Sequence, residues 1–211
     1  MRRWPITLLA PLALVACGEI PDVTSAFGGS LFLREPVREV SVADDSVTIA
    51  GPFGYCIDTA SLESGEAGVF VLLGSCASLS RARDAGRPRV PGILTATVSE
   101  FEGASSSDSV QRLAAFLQTE DGRRALSRSG DPGTVQIIWA RPEGDALYLH
   151  ARDTSPDPLP DVSPAYWRAF LAIEGRIVTV SVVPFAERPM SPDTGLRTLD
   201  AFVRQVEARN R

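Results

Sequence analysis

Short runs of β-branched and aromatic residues, separated by Gly, Pro and Asp, occupy most of the chain after residue 31. Such bounded runs are typical of β-strands, because these side chains pack well on a pleated surface. The runs do not alternate with helical patterns, as the strands of a parallel sheet would. We therefore predict antiparallel strands. They cover residues 40–42, 47–58, 68–77, 93–101, 135–141, 146–152, 166–173 and 176–184.

Two neighbouring helices are predicted in the middle of the chain. Residues 105–108 offer Ser and Asp side chains as N-caps, and apolar residues follow at helical spacing. Thr119 can cap a second helix that continues through Leu126. The Ser-Gly-Asp-Pro-Gly sequence that starts at Ser129 ends this helix, at about Arg128.

A third helical pattern closes the chain. Asp193 and Thr194 are the expected cap, and Asp200 and Arg204 are spaced for an ion pair across one helical turn. The apolar face consists of Leu196, Leu199, Phe202, Val203 and Val206. An amphipathic helix of this kind is expected to dock on a sheet.

Two hairpins are predicted in the second half. Glu174 and Gly175 suit a two-residue turn, which places Leu171 beside Val178 on one face of the sheet. A second turn is expected at the Pro-Glu-Gly-Asp sequence of residues 142–145.

The order of elements predicts an α+β fold, an antiparallel β-sheet with helices packed on it. One helical segment lies mid-chain and one is C-terminal. This order resembles that of PsbP-like domains, over residues 46–207. The resemblance implies a fold, and no functional residue is carried over from it.

The first seventeen residues carry a targeting pattern. Arg2 and Arg3 precede an apolar stretch at residues 5–16, which is shorter than the ~20 residues of a membrane-spanning helix. It ends in Leu14-Val15-Ala16-Cys17, which resembles the lipobox of bacterial lipoproteins. The resemblance implies that residues 1–16 are a signal peptide. Cys17 would then carry a diacylglycerol and an N-acyl chain such as palmitate.

Lipidation would place the rest of the chain at a membrane. The residue after the cysteine is Gly18, whereas lipoproteins that stay at the inner membrane have Asp at this position. The resemblance therefore implies the outer membrane, facing the periplasm. The periplasmic side of the inner membrane is one alternative, and an ordinary secretory signal with an incidental cysteine is another. Residues 17–30 are then a lipidated flexible tether, and residues 31–211 a single periplasmic domain.

Charge and composition exclude several functions. All 21 basic residues are Arg, so a Walker A loop, a Schiff-base lysine and Ser-x-x-Lys acylases are excluded. A single histidine excludes multi-histidine zinc sites. The formal charge of −5 becomes −7 when Arg2 and Arg3 leave with the signal peptide, so nucleic acid is not an expected partner. We expect no cofactor and no metal. Asp44 and Asp45 fit a turn better than a calcium loop.

Cys56 and Cys76 remain once Cys17 is lipidated. In an oxidising compartment they are expected to form a disulfide, worth about 3 kcal/mol for a loop of this length. The sequences around them resemble a paired-cysteine signature of uncharacterised proteobacterial lipoproteins. The alternative is a thiol enzyme or hydrolase, with Cys56 or Cys76 as nucleophile and His150 as base. His150 is otherwise interpreted as a solvent-facing or hydrogen-bonded sheet residue, on the face of Tyr148.

Four arginines cluster ahead of the predicted strand at residues 93–101. They are Arg81, Arg83, Arg87 and Arg89. Such a run is commonly a solvated loop. Its functional interpretation is an anion-facing patch for lipid headgroups or an acidic partner, because guanidinium binds phosphate and carboxylate.

The leading hypothesis is a membrane-anchored, periplasm-facing lipoprotein. Its domain would act without catalysis, as a binding or envelope-assembly module for an unknown envelope protein or anionic ligand. Besides the thiol enzyme, a small-ligand carrier is an alternative, which predicts an apolar cavity between sheet and helices.

Overall fold

A computed structural model describes residues 36–66, 68–80, 82, 84–99, 107–156 and 161–211. The lipobox, the tether and residues 105–106 lie outside these ranges. The described strands are β1 (Glu39–Val42), β2 (Val47–Ala50), β3 (Tyr55–Ile57), β4 (Glu63–Gly65), β5 (Gly68–Ser75), β6 (Gly92–Val98), β7 (Val135–Glu143), β8 (Ala146–Asp153), β9 (Ala165–Ile173) and β10 (Arg176–Pro184). The described α-helices are α1 (Cys76–Ser80), α2 (Ser107–Leu117), α3 (Glu120–Leu126) and α4 (Pro192–Arg209).

Antiparallel pairing joins the strands into two sheets. β1 pairs with β2, and the other described strands form an eight-stranded sheet in the order β3-β5-β6-β10-β9-β8-β7. β4 pairs with the first half of β5, and β3 with its end. The predicted α+β class, an antiparallel sheet with packed helices, is confirmed.

Side chains project from both faces of the large sheet, and a separate hydrophobic core lies against each face. The larger core lies under α4 and β2, and the smaller one under α2 and α3. On α4 the buried apolar residues are Leu199, Phe202, Val203 and Val206. Each such side chain stabilises the fold by about 1.5–3 kcal/mol. None of the helices in the described ranges has the length and hydropathy needed to cross a membrane.

Local turn chemistry explains which predicted boundaries are right. The Glu174-Gly175 turn is present, and Leu171 pairs with Val178 as predicted. The predicted strand at 47–58 is wrong, because a turn interrupts it after Ala50 and separates β2 from β3.

Helix caps are partly as predicted. Thr119 caps α3, its hydroxyl accepting a hydrogen bond from the backbone of Gly122 at 3.1 Å. On α4 the predicted cap is wrong, because Ser191 is the N-cap and Pro192 follows it as the first helical residue. Proline suits that position, since its missing N–H would be unpaired there.

The last residues of the chain are tied to one of the first strands. Asn210 accepts a hydrogen bond from the backbone N–H of Thr48 at 2.8 Å and donates one to its carbonyl at 2.8 Å. The amide side chain thus occupies the place of a neighbouring strand beside β2. Residues 162 positions apart in sequence are joined in this way.

A buried carboxylate at the end of β8 joins this strand to the segment that follows α3. Asp153 is 1% exposed and accepts hydrogen bonds from the backbone N–H of Arg128 at 2.9 Å and from its Nε at 3.1 Å. The hydroxyl of Ser155 donates to it at 2.6 Å. Burial by itself raises the pKa of this carboxyl, but the hydrogen bonds from Ser155, Arg128 and Thr134 outweigh burial and lower it to about 2. We call these residues the Asp153 clasp.

Candidate functional site

A groove of about 570 Å³ opens between three segments of the chain. Its walls are the turn after β2, the loop that precedes β6, and the N-terminal half of α4. Phe53, Arg89 and Arg197 lie one on each wall. The volume is in the range of ligand sites in proteins. We call it the arginine groove.

Phe53 stands on a tight turn that holds its ring in solvent. The backbone N–H of Tyr55 donates to the carbonyl of Pro52 at 3.0 Å, and Gly54 has a φ of 88°. A positive φ at the third of four turn residues is typical of a type II turn, which favours glycine there. Phe53 is 79% exposed. A large apolar ring fixed at the mouth of a groove can pack against a ligand.

The second wall packs directly against this turn. A Cβ atom on Gly54 would lie 2.4 Å from the nitrogen of Pro88, so no larger residue fits. The hydroxyl of Tyr55 donates to the carbonyl of Val90 at 3.0 Å. Burial raises the pKa of Tyr55 to about 12, so this hydroxyl keeps its proton. The first two walls are therefore held in one arrangement.

The disulfide between Cys56 and Cys76 supports both walls. Its Cα atoms are 4.8 Å apart, and both residues are fully buried. The backbone N–H of Cys76 donates to the carbonyl of Gly54 at 2.9 Å, and that of Ala77 to the carbonyl of Gly86 at 3.3 Å. The predicted pairing is confirmed. The bond also joins β3 to α1, on which both loops rest.

The third wall is one stripe of α4, with Thr194, Arg197 and Ala201 spaced at three and four residues. Gly195 lies beside this stripe and packs on the indole of Trp167. A Cβ atom at Gly195 would lie 2.3 Å from that ring, so helix and sheet are in direct contact. This contact sets the distance between α4 and the sheet.

Two guanidinium groups give the groove its charge. Arg89 and Arg197 are both exposed, and neither forms an ion pair with a described carboxylate. Arg197 donates one hydrogen bond, to the hydroxyl of Thr194 at 3.2 Å. No Asp or Glu is among the described lining residues. The groove is thus a positive site on a chain of negative net charge, and guanidinium pairs with carboxylate or phosphate.

The four arginines of the predicted anion-facing patch do not all lie in the groove. Arg89 lines the groove, whereas Arg87 is exposed on the same loop outside the lining. Arg81 and Arg83 lie outside the described residues. Phe53 and Arg197 were not predicted from the sequence.

His150 lies between two indole rings on the face of the sheet that α4 covers. Its ring stacks on Trp167 with a centroid distance of 4.5 Å and meets the edge of Trp139 at 5.8 Å. It is 6% exposed, and neither ring nitrogen has a hydrogen-bond partner among the described residues. Burial lowers its pKa. The prediction of a solvent-facing or hydrogen-bonded histidine is therefore wrong.

The thiol enzyme does not match this arrangement. Cys56 and Cys76 are bonded to each other, so neither offers a thiolate. Four strands lie between β3, which carries Cys56, and β8, which carries His150. At about 4.8 Å per strand, nucleophile and base are far beyond hydrogen-bond reach.

The space between α4 and the sheet is filled by side chains. Leu199, Phe202 and Val206 are fully buried there against the core of the sheet. A small-ligand carrier needs this space for its ligand. The described packing therefore gives that alternative no support.

Comparison with solved structures finds a likeness to a cyanobacterial protein. The chain is similar to the solution structure of cyanobacterial PsbP from Synechocystis sp. PCC 6803, with 15% sequence identity and a TM-score of 0.38. The match covers 82% of this chain and 91% of that chain. No protein-family model matches the sequence, and no curated protein is significantly similar to it.

Proposed function

We propose that the chain is a lipid-anchored, periplasm-facing binding module for envelope assembly or maintenance. In this proposal Cys17 carries the lipid, and the arginine groove holds an anionic partner. The observation that carries the binding role is the groove itself. In it, two guanidinium groups and an exposed aromatic ring stand on rigid walls with no described acid between them.

The rigidity of the walls supports a binding role. Backbone segments that are already held in place lose little entropy when a partner binds, which improves affinity. The disulfide, the tight turn at Gly54 and the contact of Gly195 with Trp167 all restrict the groove walls before a partner arrives. Aromatic and arginine residues are also those most enriched at energetically important interface positions.

The anchor is tested by the intact mass of the membrane-extracted protein, with thiol alkylation before and after reduction. The expected result is a lipid-modified N-terminus at Cys17, and alkylation of Cys56 and Cys76 only after reduction. An unmodified Cys17 would overturn the anchored form of the proposal.

The binding role is tested by crosslinking in intact cells. A photoreactive phenylalanine analogue at Phe53 should form a defined adduct, which should be lost when Arg89 and Arg197 are both changed to Gln. The control position is Phe116, which is 43% exposed on α2, over the other core. Arg87→Gln is the matched charge control. Equal adducts from Phe53 and Phe116, or an adduct insensitive to the two arginines, would refute the role of the groove.

A further inference from the structure

We propose that the partner of the arginine groove is an extended peptide segment that carries a carboxylate. Its carboxylate would lie against Arg89 and Arg197, and an apolar side chain of the segment would pack on Phe53. This inference rests on the proposed binding function and names the chemistry of the partner.

The dimensions of the groove fit a short segment of chain. A volume of about 570 Å³ is large for a single inorganic anion and suits a few residues. The groove is lined by residues of two loops and a helix and opens to solvent between them, so a segment of another chain can reach it. An extended segment can occupy such a groove without forming a helix or a sheet of its own.

The lining favours recognition through side chains. Pro52 and Pro88 are part of the lining and have no backbone N–H to offer a ligand. Grooves lined by aromatic residues are typical of one class of site for extended peptides, in which apolar contacts fix position. Phe53 provides such a contact at one wall, because its ring is 79% exposed and its backbone is fixed in the turn.

Charge selects an acidic segment. Arg89 and Arg197 lie on two different walls of the groove, and the described lining has no carboxylate to neutralise them. A planar guanidinium matches a carboxylate in geometry as well as charge. An anionic membrane surface is the less favoured partner, since the net charge of −7 that the chain carries once residues 1–16 are removed repels an extended negative surface. A short acidic segment meets only the local positive field of the groove.

The experiment measures binding of two probe peptides to the full-length protein in a non-ionic detergent, by calorimetry. The probes are acetyl-Ala-Leu-Glu-Leu-Ala-amide and the same peptide with Gln in place of Glu. They have the same length and apolar side chains, so the ratio of their dissociation constants isolates the carboxylate. We expect the Glu peptide to bind about tenfold more tightly, as one charge-assisted hydrogen-bonded contact allows.

Variants locate the contact. Arg89→Gln with Arg197→Gln should reduce the ratio to about one, because the Gln peptide never used these charges. Arg87→Gln should leave the ratio unchanged, since this neighbouring arginine lies outside the lining. Phe53→Ala should weaken both peptides equally and leave their ratio intact. Circular dichroism confirms that each variant is folded.

Several results would overturn the inference. The first is equal binding of the Glu and Gln peptides, and the second is an Arg87→Gln variant that loses the ratio as fully as the groove variants do. The third is inorganic phosphate that displaces a bound peptide at concentrations below the peptide's own dissociation constant, which would point to a phosphate-bearing partner. An arginine-dependent crosslink at Phe53 in cells together with no binding of the Glu peptide would reject the peptide class alone. Absence of both would reject the binding function as well.

Discussion

Replacing Asp153 by Asn tests how much one buried carboxylate contributes to this fold. In the folded chain the pKa of Asp153 is about 2, against 3.8 for the unperturbed group. Each unit of pKa difference between folded and unfolded states corresponds to about 1.4 kcal/mol. The Asp153 clasp therefore stabilises the folded chain by about 2 kcal/mol at pH 7, where the carboxyl is ionised in both states.

The direction of the pKa shift determines how the stabilisation changes with pH. The folded-state pKa is the lower one, so the stabilisation is fully present above about pH 5 and is lost as the pH falls toward 2. About half of it remains at pH 3. Asp153→Asn has no charge to lose, so the difference in free energy of unfolding between the two proteins should be about 1 kcal/mol smaller at pH 3 than at pH 7.

Urea unfolding followed by tryptophan fluorescence, at pH 7, 4 and 3, measures this difference. Asp121→Asn is the control, because Asp121 is an exposed residue of α3 that pairs with Arg124. Its effect should stay within about 0.5 kcal/mol at every pH. A cost of Asp153→Asn that is the same at pH 7 and pH 3 would refute the assignment of the stabilisation to the ionised carboxylate.

Three further changes have definite expected outcomes. Gly195→Ala should destabilise the protein by about 1–3 kcal/mol, although Ala is the better helix former, because the new Cβ would enter the ring of Trp167. An unchanged or higher melting temperature would contradict this packing. His150→Phe should keep the ring stack and abolish the loss of stability that begins below pH 6.5, where the unfolded chain takes up a proton that the buried imidazole resists. A pH series of melting temperatures decides this, and an unaltered slope would count against it. Changing Cys56 and Cys76 to Ser should lower the free energy of unfolding by about 3 kcal/mol in denaturant titrations, and a loss below 1 kcal/mol would argue against the bond as a constraint on the unfolded chain.

Local rules predicted much of the fold, because turns and strand propensity act over a few residues. The turn at Glu174-Gly175 determines the register of β9 and β10, and both are as expected. Position in the sheet was not predictable, since β6 pairs with β10 about eighty residues later along the chain. The cap of α4 was missed because Ser191, Asp193 and Thr194 are all good capping residues. Pro192 is the local signal that separates them, since proline favours the first helical position.

Candidate site residues were harder to predict. Arg89 was found from the density of arginines along the chain, but Arg197 lies more than one hundred residues away and meets it only after folding. A signal for Phe53 was present in its Pro-Phe-Gly-Tyr context, where an aromatic ring stands on a turn instead of in a strand. His150 was misplaced because strict alternation implies one solvated face, whereas helices cover both faces of β8.

The bond between Asn210 and Thr48 affects the order in which the molecule can form. The second-last residue of the chain completes the hydrogen bonding of one of the earliest strands. β2 therefore stays without this neighbour until Asn210, 162 residues later in sequence, is available to bind it. Folding with so many distant contacts is slow, and until Asn210 binds, one edge of β2 stays unpaired while its other edge pairs with β1. We expect a chaperone that shields such an edge to matter more for this protein than for one with mainly local contacts. We also expect that loss of residues 210 and 211 hinders folding, because the bond between Asn210 and Thr48 is then lost.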